Sequence, residues 1–176
     1  CLFFSSAKYS YRIEPKTEQI IRITMTGRDN FVEIEKPGVV YKSTFSDWSF
    51  WENETEFGME LPKLKLVVDK KTGAFTYLDA KNQVLLRERK NESKCLEEFN
   101  TYVLAENAKV EKEIIQTADG AKEVIKAAER MEADRLYHTW LHLDLDEKEA
   151  LYGLGQQEEG ILNLRGQTVY VHQANR

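Results

Sequence analysis

Apolar and polar positions alternate with a period of two along most of the chain. Ile21, Ile23 and Met25 alternate with Arg22, Thr24 and Thr26, and Gly27-Arg28-Asp29-Asn30 then supplies a turn. Phe57, Met59 and Leu61 alternate with Gly58 and Glu60; Leu64, Leu66 and Val68 form the next run. Asp69-Lys70-Lys71-Thr72-Gly73 reverses the chain, because Gly73 can take the positive φ such a turn needs. Ala74 to Leu78 returns, Asp79 to Gln83 turns again, and Val84 to Leu86 continues. Tyr137, Thr139, Leu141, Leu143 and Leu145 make a later strand, ended by the acidic turn Asp146 to Glu149. Alternation punctuated by turns predicts an all-β fold, an antiparallel sandwich with one face of each sheet buried.

One stretch is ambiguous. Val124, Ile125, Ala128 and Met131 fall at helical spacing, so Ala121 to Arg135 taken alone reads as an amphipathic helix. The competing reading is a hairpin, with Val110 to Gln116 and Glu123 to Ala127 as strands about Asp119-Gly120, a strong turn signal. Local physics divides the two almost evenly.

Composition narrows the function classes. The 176 residues fit one domain, and 41% hydrophobic residues suffice for a core. A net charge of −5 argues against a phosphate-backbone binder, which needs a clustered positive surplus. No stretch approaches the ~20 apolar residues of a membrane span. Cys1 and Cys95 read as free thiols rather than a disulfide staple. The opening Cys-Leu-Phe-Phe-Ser-Ser-Ala resembles the tail of a secretory signal cut near Ala7, which points to a periplasmic or secreted protein. The alternative is an ordinary first strand beginning at Leu2 to Phe4.

Several motifs fail as chemistry. Gly153-Leu154-Gly155 lacks the third glycine and the following helix of a dinucleotide loop, since Gly160 comes two positions late. No nucleotide or other cofactor is implied. His138 and His142 on a strand stand roughly 13 Å apart, too far to share a zinc ion held at about 2 Å, so no metal is expected. His172 has neither a serine elbow nor a cysteine motif to partner it. Trp48 and Trp51, with Phe45, Phe50 and Phe57, form an aromatic cluster that could stack on sugar rings or fill the core.

The tail runs Tyr152-Gly153-Leu154-Gly155-Gln156-Gln157-Glu158-Glu159-Gly160-Ile161-Leu162-Asn163-Leu164-Arg165-Gly166, then Gln167 to Arg176. Its Tyr-Gly-Leu-Gly motif resembles the N-terminal β-sandwich of glycoside hydrolase family 31, the α-glucosidase and α-xylosidase family. Leu64 to Asp69 with Thr72-Gly73, and Leu85-Leu86-Arg87-Glu88, are similar to that domain's hairpin and its leucine-leucine-x-glutamate strand. Gln116 to Gly120 and Tyr137-His138-Thr139 resemble versions in members from gut Bacteroidetes. The resemblance covers roughly residues 57 to 176 and implies a galactose-mutarotase-like sandwich, which favours strands over the Ala121–Arg135 helix.

It also implies what the chain lacks. The family's paired aspartates, nucleophile and acid/base, lie in a following (β/α)₈ barrel, and retaining hydrolysis sets such carboxyls about 5–5.5 Å apart. This chain has no Trp-x-Asp-Met motif and is too short for a barrel of ~250 residues. The isolated chain, 1–176 as a single domain, is therefore expected to be inactive, with no catalytic residues and its own C-terminal catalytic barrel as partner. In the family, a polar residue after the Tyr-Gly-Leu-Gly loop binds the aglycone-side sugar. The matching position is Asn175, with Gln173 beside it. The alternatives are a free-standing carbohydrate-binding module and, more weakly, a sugar epimerase, which would need a positioned His–carboxylate pair.

Overall fold

The computed structural model describes residues 1–6, 8–28, 30–31, 45–155 and 160–171. Those residues form strands and connecting turns, with no helix among them. β1 (Leu2–Ser5), β2 (Ser10–Thr17) and β3 (Ile20–Thr26) make a three-stranded antiparallel sheet. β4 (Ser49–Glu52), β5 (Glu56–Glu60), β6 (Leu64–Asp69), β7 (Phe75–Asp79) and β8 (Val84–Glu88) follow as an antiparallel meander. β9 (Lys94–Leu104) pairs with β12 (Arg130–Leu141), while β10 (Val110–Thr117) and β11 (Gly120–Ala128) form their own hairpin. β13 (Leu143–Asp144) closes the larger sheet, whose order is β13-β8-β7-β6-β5-β4.

Alternation explains which faces meet. On β2, Tyr11 and Ile13 point inward and are 3% and 0% exposed, while Arg12 and Glu14 point away. On the larger sheet Met59, Leu66, Val68 and Phe75 answer them, each at most 1% exposed. The two sheets therefore pack face to face as a sandwich, and each such side chain contributes about 1.5–3 kcal/mol of burial. Phe4 stacks on Tyr11 with ring centroids 4.4 Å apart and meets Phe57 edge-on at 5.0 Å. The Asp69–Gly73 turn forms as its residues predict: the Asp69 carboxylate accepts from the Lys71 and Thr72 amides, and Gly73 has φ of 71°.

The helix over Ala121–Arg135 is not formed. That stretch is split between β11 and β12 at Glu129, after a turn in which Gly120 takes φ of 108°. Val124 and Ile125 face Glu113 and Lys112 across the hairpin, and Met131 faces Val103. Ladder partners for most of these residues outweigh a helical spacing that had no apolar surface to bury against.

β8 and β9 are nearly one bent strand, and β12 with β13 runs antiparallel to both. At the bend, Arg89 N donates to His142 O (3.0 Å) and His142 N donates to Ser93 O (2.7 Å). Among the described residues, the second layer does not cover this side. Leu86, Leu141 and Leu143 share the inner face with the buried Glu88 and Lys94 by register, yet they are 38%, 55% and 42% exposed.

Candidate functional site

The glycine-rich arm after β13 is the region singled out most strongly by sequence. Gly153, Leu154 and Gly155 take φ of 102°, 61° and 92°, three consecutive left-handed residues. Glycine reaches that region without penalty, whereas Leu154 is held there against its side chain. Two residues pin the arm to the fold. The Asn163 side-chain oxygen accepts from the Leu151 and Arg165 amides, both at 3.1 Å. The Arg165 guanidinium donates to the carbonyls of Asp146 (2.5 Å) and Glu149 (2.7 Å). Leu164 is buried beneath, and its amide donates to Leu151 O at 2.8 Å. Along the same arm Tyr152, Leu154, Leu162 and Tyr170 stand outward and exposed. Such a clamp fixes a loop and presents apolar side chains; its described residues assemble no nucleophile or acid–base pair. Asn175, Gln173 and His172 lie outside the described residues, as does Ala7.

The other candidates fall apart as a cluster. The Trp51 indole covers Gly58, so close that a β-carbon there would stand 2.7 Å from the ring. Trp48, Phe45 and Phe57 pack against the core, and only Phe50 of the group is turned out, 48% exposed. The Trp48/Trp51 platform is thus spent on packing. His138 stacks on Phe99 with centroids 4.2 Å apart, and His142 Nδ1 is 2.8 Å from the Glu92 carbonyl oxygen. No group of three or more metal-ligating side chains occurs among the described residues. Cys1 and Cys95 are both free and exposed, and Tyr9 Oη donates to Cys95 Sγ at 3.6 Å.

Sequence reasoning missed a buried ion pair. Lys94 and Glu88 form a salt bridge with side chains 8% and 4% exposed. Glu88 also accepts the Phe75 amide at 2.8 Å, and Lys94 donates to Gly73 O at 3.0 Å. The Lys94 ammonium sits 3.7 Å from the Phe75 ring centroid, a cation–π contact. Burial pushes the Lys94 pKa down, against the opposing hydrogen bond and charge of Glu88. The available signal was Glu88 itself, which shares the inward face of β8 with Leu86. The pair ties β9 to the β6–β7 turn and faces the core rather than a cleft, so it is architecture.

Residues 10–175 match the family described as the glycosyl hydrolase 31 N-terminal galactose mutarotase-like domain. The chain belongs to that family. No curated protein matches it at a significant level. Membership in the glycosyl hydrolase 31 N-terminal domain family accounts for the absence of an assembled acid–base site in the described residues, because the domain is a non-catalytic part of such proteins and implies a catalytic domain in the parent. No helix of the described residues is long and apolar enough to cross a membrane.

Proposed function

We propose that this chain is the supporting N-terminal domain of a retaining α-glycosidase acting on α-glucosides or α-xylosides, and that it buttresses the catalytic barrel and narrows its sugar pocket. The observation that carries this reading is the uncovered apolar surface. Leu86, Leu141 and Leu143 lie on a half-covered sheet, and the pinned arm adds Tyr152, Leu162 and Tyr170. Surfaces of this kind mark places where another domain sits. On this reading the arm leads Gln173 and Asn175 towards the pocket, where their amides would hydrogen-bond the aglycone-side sugar. Export to the periplasm or beyond fits the opening segment, which resembles the tail of a secretory signal.

The test compares the isolated chain with the full-length protein on aryl α-glucoside and aryl α-xyloside. The expected outcome is turnover by the full-length protein alone. Asn175→Ala in that protein should raise KM several-fold, by losing about 1 kcal/mol of hydrogen bonding, with kcat little changed. Hydrolysis by the isolated chain, or full-length protein inert on both substrates, would refute the proposal.

A further inference from the structure

A second sugar site is suggested at the opposite edge of the sandwich. β1 and β4 are the outer strands of their respective sheets on one side of the molecule. Between them opens a groove of about 440 Å³, lined by Phe3, Phe50 and Phe57 and by Ser5, Glu52 and Lys70. That volume falls within the usual range of small-molecule sites, about 300–1,000 Å³. Natural edge strands are commonly blunted with charges or proline. β1 carries no charge and β4 only Glu52, and both present phenyl rings, Phe3 at 65% and Phe50 at 48% exposed.

The rings are fixed rather than loose. Phe50 leans on Phe57 (6.4 Å), Phe57 meets Phe4 (5.0 Å), and Phe4 stacks on the buried Tyr11 (4.4 Å). An apolar platform anchored this way loses little entropy when a ligand settles on it. Register places Glu52 opposite Phe57, and the Lys70 ammonium lies 2.7 Å from a Glu52 oxygen. The pair cancels in charge, which disfavours an ionic ligand. The Lys70 ammonium spends two of its three donors on Glu52 and the Asn53 carbonyl and keeps one, while the Glu52 carboxylate keeps further acceptor positions, so the pair still offers both kinds of hydrogen bond. Flat apolar faces beside mixed donors and acceptors suit a neutral polyol.

We infer that this groove binds a short α-linked gluco-oligosaccharide, holding a polymeric substrate at a distance from the catalytic pocket. The choice of an α-linked glucan rests on the functional reading above; the preference for a neutral sugar rests on the groove alone.

The experiment uses the full-length protein. Maltotetraose is titrated calorimetrically with the catalytic site saturated by 1-deoxynojirimycin. A binding event that resists the inhibitor is expected in the wild type, weakened at least about tenfold in Phe50→Ala and in Glu52→Gln. Aryl α-glucoside turnover should stay within about twofold of wild type, since neither residue belongs to the catalytic machinery. Glu52→Gln changes an exposed side chain and guards against misfolding of the Phe50 variant, which urea unfolding checks. If the inhibitor abolishes all maltotetraose binding, or both variants bind like wild type, the inference is wrong. Turnover without inhibitor-resistant binding defeats the groove alone. Absent turnover defeats the functional reading, and the titration still decides the groove.

Discussion

Gly58 has no room for a side chain. A β-carbon would run into the Leu66 carbonyl oxygen on one side and the Trp51 indole on the other. The ladder oxygen belongs to the backbone of a central strand and cannot yield. Gly58→Ala should therefore destabilise the domain by about 1–3 kcal/mol, read as a lower urea midpoint. Lys94 carries a different expectation. Lys94→Ala strands Glu88 as an unpaired buried carboxylate and should lose about 3–5 kcal/mol, whereas Lys94→Met with Glu88→Leu should recover most of that loss. The buried Tyr11 and the partly buried Tyr77 set the alkaline limit. Burial pushes the Tyr11 hydroxyl up to about 12, with a hydrogen bond to Ser6 pulling it down and the Glu88 charge adding to the rise. Tyr77 is raised by burial and then by Glu88. The unfolded chain ionises near 10 while the folded one does not, so their stabilisation is complete below pH 10; the share of Tyr11 is lost as pH rises through about 12, and that of Tyr77 at higher pH still. Unfolding free energies measured between those limits should fall steeply, and Tyr11→Phe should flatten the slope. At this scale sequence fails in a specific way: it places Trp51 in an aromatic cluster open to sugar stacking or core packing, but only the fold shows that its ring covers a glycine.

Strands and turns were more legible. The runs ending at Leu61, Val68 and Leu86 and the turn at Asp69–Gly73 all follow from period-two alternation and turn chemistry. Ser10–Thr17 and Lys94–Leu104 were not apparent, because Glu14, Pro15 and Lys16 interrupt the first pattern and Glu97, Glu98 and Asn100 the second. The helical spacing over Ala121–Arg135 misled for a related reason: β10, β11 and β12 have most residues exposed on both faces, so no buried side imposes a clean alternation. Two-stranded pieces of this sort are marginal alone. Amide hydrogen exchange should rank accordingly, with strong protection in β5–β7 and weak protection in β10 and β11. Similar protection in both would contradict the burial pattern.

For the whole molecule, the family was visible in the tail motif, while Gln173 and Asn175 fall outside the described residues and stay a matter for mutagenesis. The uncovered inner face makes a prediction of its own. Leu143→Asp in the isolated chain should change stability by less than about 0.5 kcal/mol, because the position is already wet. In the full-length protein the same substitution should lower the melting temperature of the joined domains. Equal effects in both contexts would mean that nothing docks there.

The bend at His142 couples these scales. Its amide and carbonyl bridge Ser93 and Arg89, so the long ribbon and the central sheet share one rigid crook. Immediately beside it sits the ammonium–carboxylate tie to the Asp69–Gly73 turn. A neighbour that pushed on the ribbon's far end would work it as a lever whose fulcrum is that tie.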